Sequence, residues 1–169
     1  MTSKRMLARY VLIITVIATG AACNRRRVEP SVDVTATLDT RAGIVSVTGT
    51  SFEQRLVLTS GTRVINLVAS AADSSALSHV GGVEVLARGW ADANTFHVAS
   101  FVVRRVGGEL VVDGVLGRDG ERLVLDTVGG RVVLGNPPAA LRGIVGARVW
   151  IGGPLDIGPN NYGIIIPVP

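Results

Sequence analysis

The chain has 169 residues, of which 47% are hydrophobic, 4% are aromatic and 21 are glycines, and its formal net charge is +4. This length is enough for one or two small domains with cores of their own, and abundant Val and Gly favour short strands joined by tight turns. Lysine occurs once, at Lys4, so the rest of the chain cannot use a Schiff-base lysine or a phosphate-binding lysine. The composition therefore predicts an all-β protein whose mechanism does not depend on lysine.

The N-terminus is typical of an export signal. Three basic residues within the first nine positions are followed by the apolar run Tyr10–Thr19, which is shorter than the roughly 20 residues that cross a bilayer as a helix. The small residues Gly20-Ala21-Ala22 come next and are followed directly by Cys23, the one cysteine of the chain. We therefore expect residues 1–22 to be a signal peptide.

The small residues and Cys23 resemble a bacterial lipobox, with Gly20 at a position where Leu is usual. This resemblance implies that the protein is a lipoprotein, acylated (with palmitate, for example) at Cys23. Acylation would also explain an unpaired thiol in an exported protein. Because Asn24 rather than Asp follows Cys23, we expect the protein at the outer membrane, facing the periplasm. The alternative is a plain secretory signal, or an uncleaved anchor, in which Cys23 has no such role.

The positive charge of the chain is concentrated near its N-terminus. Of 17 basic residues, three precede the apolar run and three more, Arg25, Arg26 and Arg27, follow the cysteine, which leaves 11 basic against 13 acidic residues from Val28 onward. A nucleic-acid-binding domain needs a basic face within the fold, so we expect no nucleic-acid partner. We expect the arginine triplet to lie beside anionic lipid headgroups, at about 1 kcal/mol per charge.

Beyond a polar tether at residues 23–31, apolar and polar side chains alternate as they do in half-buried strands. We predict a turn at Asp39–Gly43, a short helix at Ala71–Ser78 with Asp73 as its N-cap, and a helical turn at Asn136–Gly143. Strands are predicted at Val32–Leu38, Ile44–Thr50, Gln54–Thr59, Arg63–Val68, Val83–Gly89, Thr95–Arg105, Glu109–Leu116, Arg122–Asp126, Arg131–Leu134, Ala147–Ile151 and Tyr162–Ile166.

One stretch occurs twice, at Ala76–Asp92 and again 64 positions later at Ala140–Asp156. A recurrence at fixed spacing indicates one supersecondary unit used twice. Each unit is predicted to have the order strand, strand, strand, short helix, strand, strand. The residues identical at this offset are Ala76/Ala140, Leu77/Leu141, Gly82/Gly146, Val85/Val149, Gly89/Gly153 and Asp92/Asp156.

This order of elements resembles the oligonucleotide/oligosaccharide-binding barrel, the OB-fold, whose five strands carry a helix between the third and the fourth. The resemblance implies an all-β fold with short helices: two tandem small OB-like β-barrels after a signal peptide. The modules would span residues 32–106 and 107–169. A different small barrel, or a single sandwich of about eleven strands, is the alternative.

Signatures of catalytic and metal sites are absent from the sequence, which has no Gly-x-Ser-x-Gly, no His-Glu-x-x-His and no pair of cysteines. His79 is best explained as a surface residue and His97 as a strand residue, although a loop cation site built from Asp92, Asn94 and His97 is conceivable. We therefore expect no metal, no cofactor and no enzymatic activity. The alternative is an enzyme with an unrecognised site in its loops.

Large apolar residues lie on the outward face of the fourth strand of each unit. Leu86 and Trp90 alternate with inward residues and share their face with charged ones, and Trp150 is the counterpart of Leu86 at the 64-residue offset. An outward Trp favours a contact surface. We predict that Leu86, Trp90 and Trp150 form an interface, either between the barrels or with a partner. Capping of an open barrel end is the alternative.

The second and third strands of each unit, within Gln54–Val68 and Arg122–Leu134, contain no aromatic residue on which bases would stack. The binding platform that the OB resemblance implies therefore favours a protein, a glycan or a small molecule. The sequence predicts an envelope-anchored, non-enzymatic binding lipoprotein. Its partners would be the membrane, through the lipid anchor, and an envelope protein or glycan. A structural envelope component without a ligand is the alternative.

Overall fold

The computed structural model describes residues 38–50 and 53–168. Four predicted features lie outside the described residues: the signal peptide, Cys23, the arginine triplet and the leading strand apart from its last residue, Leu38. The elements are β1 (Asp39–Thr50), β2 (Glu53–Ser60), β3 (Arg63–Val68), α1 (Ala71–His79), β4 (Glu84–Asp92), β5 (Thr95–Val106), β6 (Glu109–Asp119), β7 (Arg122–Thr127), β8 (Gly130–Val133), a 3-10 helix (Ala139–Ile144), β9 (Arg148–Gly152) and β10 (Asn161–Ile166).

The first five strands form a closed barrel, which confirms the all-β expectation. β1 pairs with both β2 and β4, β2 pairs with β3, and β4 pairs with β5, all antiparallel. A parallel pair between β3 and β5, running from Asn66/Thr95 to Val68/His97, closes the ring. α1 connects β3 to β4, the place at which an OB-fold carries its helix.

The predicted turn at Asp39–Gly43 is wrong, because these residues form the first half of β1. They pair with β4, and from Ile44 onward the same strand pairs with β2. The strand must coil where it changes partner, and a Cβ on Gly43 would lie 2.5 Å from the carbonyl oxygen of Thr59. Glycine therefore permits the close approach of β1 and β2. It marks a bend within a strand rather than a turn.

The remaining five strands have the same pairing order, but no strand pair among them closes the ring. β6 pairs with β7 and β9, β7 pairs with β8, and β9 pairs with β10. The two-residue turn Ala93–Asn94 of the first unit is replaced by the loop Gly153–Asn160. The N–H of Gly135, after β8, donates to the carbonyl of Leu155 in this loop at 2.7 Å. The second unit is thus an open sheet in barrel order, and a loop covers the opening.

The sequence repeat corresponds to a repeated set of backbone hydrogen bonds. In the first unit Gly82 N–H donates to Val45 at 2.8 Å, and in the second Gly146 N–H donates to Leu116 at 2.7 Å. Both glycines have positive φ, 86° and 97°, a conformation that other residues rarely adopt. The 64-residue offset therefore preserves a backbone geometry as well as residue types.

Both helices cover the ends of their units with leucines that the repeat predicts. Leu77 and Leu141 are fully buried. The N-cap of α1 is Ser70, whose Oγ accepts from the Asp73 N–H at 3.1 Å, so the prediction of Asp73 as the cap is wrong by three residues. Asp73 instead lies in the first turn, where a carboxylate is also favourable.

Each of the two units has a hydrophobic core, and both cores lie in one compact domain. The core of the barrel includes Val45, Leu58, Phe96 and Phe101, and it also takes in Val111 from β6 and Ile165 from β10. The second core lies inside the open sheet. Because strands of the second unit supply residues to the first core, the outer face of the open sheet packs directly on the barrel.

Candidate interaction surface

The outer face of β4 carries two of the predicted interface residues. Val85, Ala87 and Gly89 point inward and are buried, whereas Leu86 is half-buried and Trp90 is 43% exposed. Cross-strand neighbours extend this face onto β5, where Val102 lies opposite Leu86. The predicted alternation on β4 therefore places Leu86 and Trp90 on one surface of the barrel.

Trp90 is held in place by His97. The two residues are opposite each other on β4 and β5, and their rings are stacked with centroids 5.1 Å apart and planes 4° from parallel. Stacking fixes the indole in one orientation before any partner arrives, which lowers the entropy lost on binding. His79 is exposed in the last turn of α1. Within the described residues no group of three His, Cys, Asp or Glu side chains is arranged to hold a metal ion.

Trp150 lies in the contact between the open sheet and the barrel. It is half-buried and packs against the barrel core. A Cβ on Gly163, the cross-strand neighbour, would lie 2.5 Å from the indole ring, so the ring lies directly over that glycine. The structure therefore brings Leu86 and Trp90 to one surface and places Trp150 elsewhere, between the two units.

Sequence reasoning missed an ion pair of the second unit that lies where the two units meet. The Arg148 guanidinium donates to both carboxylate oxygens of Asp113, at 2.9 and 2.7 Å, and its Cζ lies 4.4 Å from the centre of the Phe101 ring. Asp113 is 8% exposed. Bidentate geometry of this kind is the strongest form of an arginine–carboxylate pair.

The same ion pair binds the unpaired edge of β5. The Arg148 guanidinium also donates to the carbonyl of Phe101, and the Asp113 carboxylate accepts from the N–H of Val103 at 2.8 Å. These backbone groups have no strand beside them, because β5 pairs with β6 only at Arg105 and Val106. The side chains thus take the place of a neighbouring strand. We call Asp113 and Arg148 the clamp. A charged residue within each of two apolar strands was the only sequence signal for it.

A cleft of about 410 Å³ runs beside the clamp, between β5 and the end of β7. Its acidic residues besides Asp113 are Asp73 and Asp126. Asp126 accepts from Arg131 at 2.6 and 3.2 Å, and this hydrogen bonding lowers the pKa of the Asp126 carboxyl. A carboxylate held ionised by arginine is a weak base and a poor proton donor at neutral pH. The lowered pKa therefore makes Asp126 poorly suited to acid–base chemistry in this cleft.

A larger depression of about 620 Å³ lies between α1 and the barrel strands β1–β3. Its floor includes Leu56 and Leu67, and serines of α1 line one side. In the described parts of β2 and β3 no aromatic side chain is present, so this depression offers apolar and hydroxyl contacts rather than stacking.

Neither helix in residues 38–50 and 53–168 has the length and apolar character needed to cross a bilayer. The chain is an all-β protein built on a closed five-stranded barrel with additional strands. No protein-family model, no curated protein and no solved structure matches it.

Proposed function

We propose that this protein is an exported lipoprotein, acylated at Cys23, whose β-domain is a non-enzymatic binding module of the bacterial cell envelope. The positive N-terminal segment, the short apolar run and the small residues before Cys23 support export and acylation. An acylated Cys23 would keep the domain beside a membrane. Because Asn24 rather than Asp follows Cys23, we assign the protein to the outer membrane, on its periplasmic side.

The observation that carries the binding role is the surface of β4. Trp90 is 43% exposed, and its ring stacks on that of His97. Leu86 and Val102 continue the same face as an apolar row. A rigid aromatic beside aliphatic side chains is the usual composition of a binding hot spot.

The partner class follows from charge and from the platform strands. From Val28 onward acidic residues slightly outnumber basic ones, which disfavours a nucleic acid. An envelope protein, a glycan or a small molecule remains, and proteins that bind such ligands use aromatic side chains at the contact.

Site-specific photo-cross-linking tests this role. A photo-reactive amino acid at Leu86, in the full-length protein in living cells, is expected to give one discrete cross-linked species. The matched control is Val133 on β8, which is 40% exposed but lies on the second unit. Cross-linking of equal yield and pattern from both positions would contradict a binding surface on β4.

A further inference from the structure

Exposed apolar side chains gather at the end of the barrel where β1 begins. Leu38 is 39% exposed and directly precedes Asp39, which pairs with Gly89, the neighbour of Trp90. Val64 is 54% exposed and lines a depression of about 290 Å³ at the turn between β4 and β5. Single exposed apolar residues are ordinary, but a group of large ones marks a contact surface. We call Leu38, Val64 and Trp90 the tether-end patch.

Basic residues surround the tether-end patch. Arg63 lies beside Val64, and Arg88 is two residues before Trp90 on the same face of β4. Neither forms an ion pair among the described residues, whereas Arg41 pairs with Asp39. With Asp92 as the other nearby acid, this end has an excess of one positive charge.

The length of the tether determines which end of the barrel faces the anchor. Cys23 and Leu38 are 15 positions apart. A chain of that length spans at most about 50 Å. A compact unit of about 130 residues has a radius of gyration of about 14 Å, hence a diameter of about 35 Å. Leu38 therefore lies within about 50 Å of the anchor, and the opposite end of the domain is up to about 35 Å farther away.

We infer that the tether-end patch rests on the lipid surface to which Cys23 is anchored, with the Trp90 indole at the level of the headgroups and Arg63 and Arg88 beside anionic phosphates. This inference rests on the proposed lipid anchor; it assigns Trp90 to the lipid surface and leaves Leu86 and Val102 as the part of the β4 surface that binds the envelope partner. Trp prefers the membrane–water interface because its ring is apolar and its N–H is polar. Arginines near an anionic surface each favour contact by a factor of about five.

Quenching by brominated phospholipids tests this contact. The probe is the full-length acylated protein in phosphatidylcholine vesicles with or without phosphatidylglycerol. The chain has two tryptophans, so W90F leaves Trp150 as the remaining emitter, and the difference from the unaltered protein gives the Trp90 signal. We expect Trp90 to be quenched by bromines near the headgroups and to be shifted to shorter wavelength, and Trp150 to be unaffected by lipid.

The contribution of charge to the contact is measured with a matched pair of variants that remove it. R63Q/R88Q should lower the ratio of quenched to unquenched Trp90 in phosphatidylglycerol vesicles by about fivefold per arginine. R118Q/R142Q removes the same charge from the second unit, where Arg118 donates to the Arg142 carbonyl, and should leave Trp90 quenching unchanged.

The outcomes separate this inference from the proposed function. A protein that carries the acyl group and binds vesicles but has an unquenched Trp90 overturns the inference alone. A protein without the acyl group, shown by its mass, overturns the proposed anchor. Protection of Trp90 from aqueous iodide by an envelope protein or glycan, without quenching by bromolipid, also overturns the inference and assigns Trp90 to that partner.

Discussion

Replacing Arg148 with Met removes the cationic half of the clamp while keeping an apolar side chain of similar length. Asp113, which is 8% exposed, would keep only the N–H of Val103 as a hydrogen-bond partner, and the Phe101 carbonyl would lose its donor. Removing one partner of a buried ion pair costs about 3–5 kcal/mol. The Arg148 side chain is 20% exposed, which places R148M at the lower end, about 3 kcal/mol.

This loss of stability corresponds to a lower melting temperature. Unfolding entropy is about 2.1 cal/mol/K per residue, so a unit of about 130 residues has about 0.27 kcal/mol/K, and 3 kcal/mol corresponds to about 11 °C. Differential scanning calorimetry and urea unfolding both measure it. In a double-mutant cycle D113N and R148M should show a coupling of about 2 kcal/mol, because Asn at 113 no longer leaves a buried charge.

The control is R131M, which breaks a bidentate pair of the same chemistry in an exposed position. Asp126 and Arg131 are 43% and 57% exposed, and exposed pairs contribute little. The account of the clamp would be refuted if R148M lost no more stability than R131M. Because Arg131 lowers the pKa of Asp126 in the folded protein, the small difference between R131M and the unaltered protein should be present at pH 7. It should disappear on acidification below about pH 4, as the carboxylate is protonated.

Two further predictions concern packing. G43A and G114A should each lower the free energy of unfolding by about 1–3 kcal/mol, because the new Cβ would lie 2.5 or 2.6 Å from a carbonyl oxygen of the neighbouring strand. In the control G143A the new Cβ meets no atom within 4 Å, so the free energy from urea unfolding should change by less than about 0.5 kcal/mol. Equal effects at all three positions would refute the close approach of the strands. W150A should cost about 2–4 kcal/mol because it opens a cavity between the two units, and W90A less than about 1 kcal/mol because its ring is at the surface. Near-ultraviolet circular dichroism should show the same ranking, and the reverse ranking would contradict the placement of the two tryptophans.

Much of the local structure could be predicted from the sequence because it depends on short-range patterns. Alternating side chains placed the strands, and the recurrence of Gly82 as Gly146 identified a geometry used twice. The turn predicted at Asp39–Gly43 failed because β4, more than 40 residues away, supplies the pairing partner for that segment. Local pattern cannot report a partner so distant in the chain.

Closure and the clamp depend on long-range geometry in the same way. The parallel pair of β3 and β5 closes the first ring, while the longer loop Gly153–Asn160 takes the corresponding place in the second. Loop length is visible in the sequence, but its effect on pairing is not. Asp113 and Arg148 each appeared as one charge in an apolar strand, and only the pairing of β6 with β9, 35 residues apart in the chain, brings them together.

The central claim is that a binding domain is anchored to a membrane through an acylated cysteine. The most direct test is the mass of the mature protein extracted from membranes. Intact-mass and top-down spectrometry should show a chain that begins at Cys23 and carries acyl groups on it. The C23S variant should lose this modification and leave the membrane fraction. A full-length chain with an unmodified Cys23, recovered from the cytosol, would contradict the account.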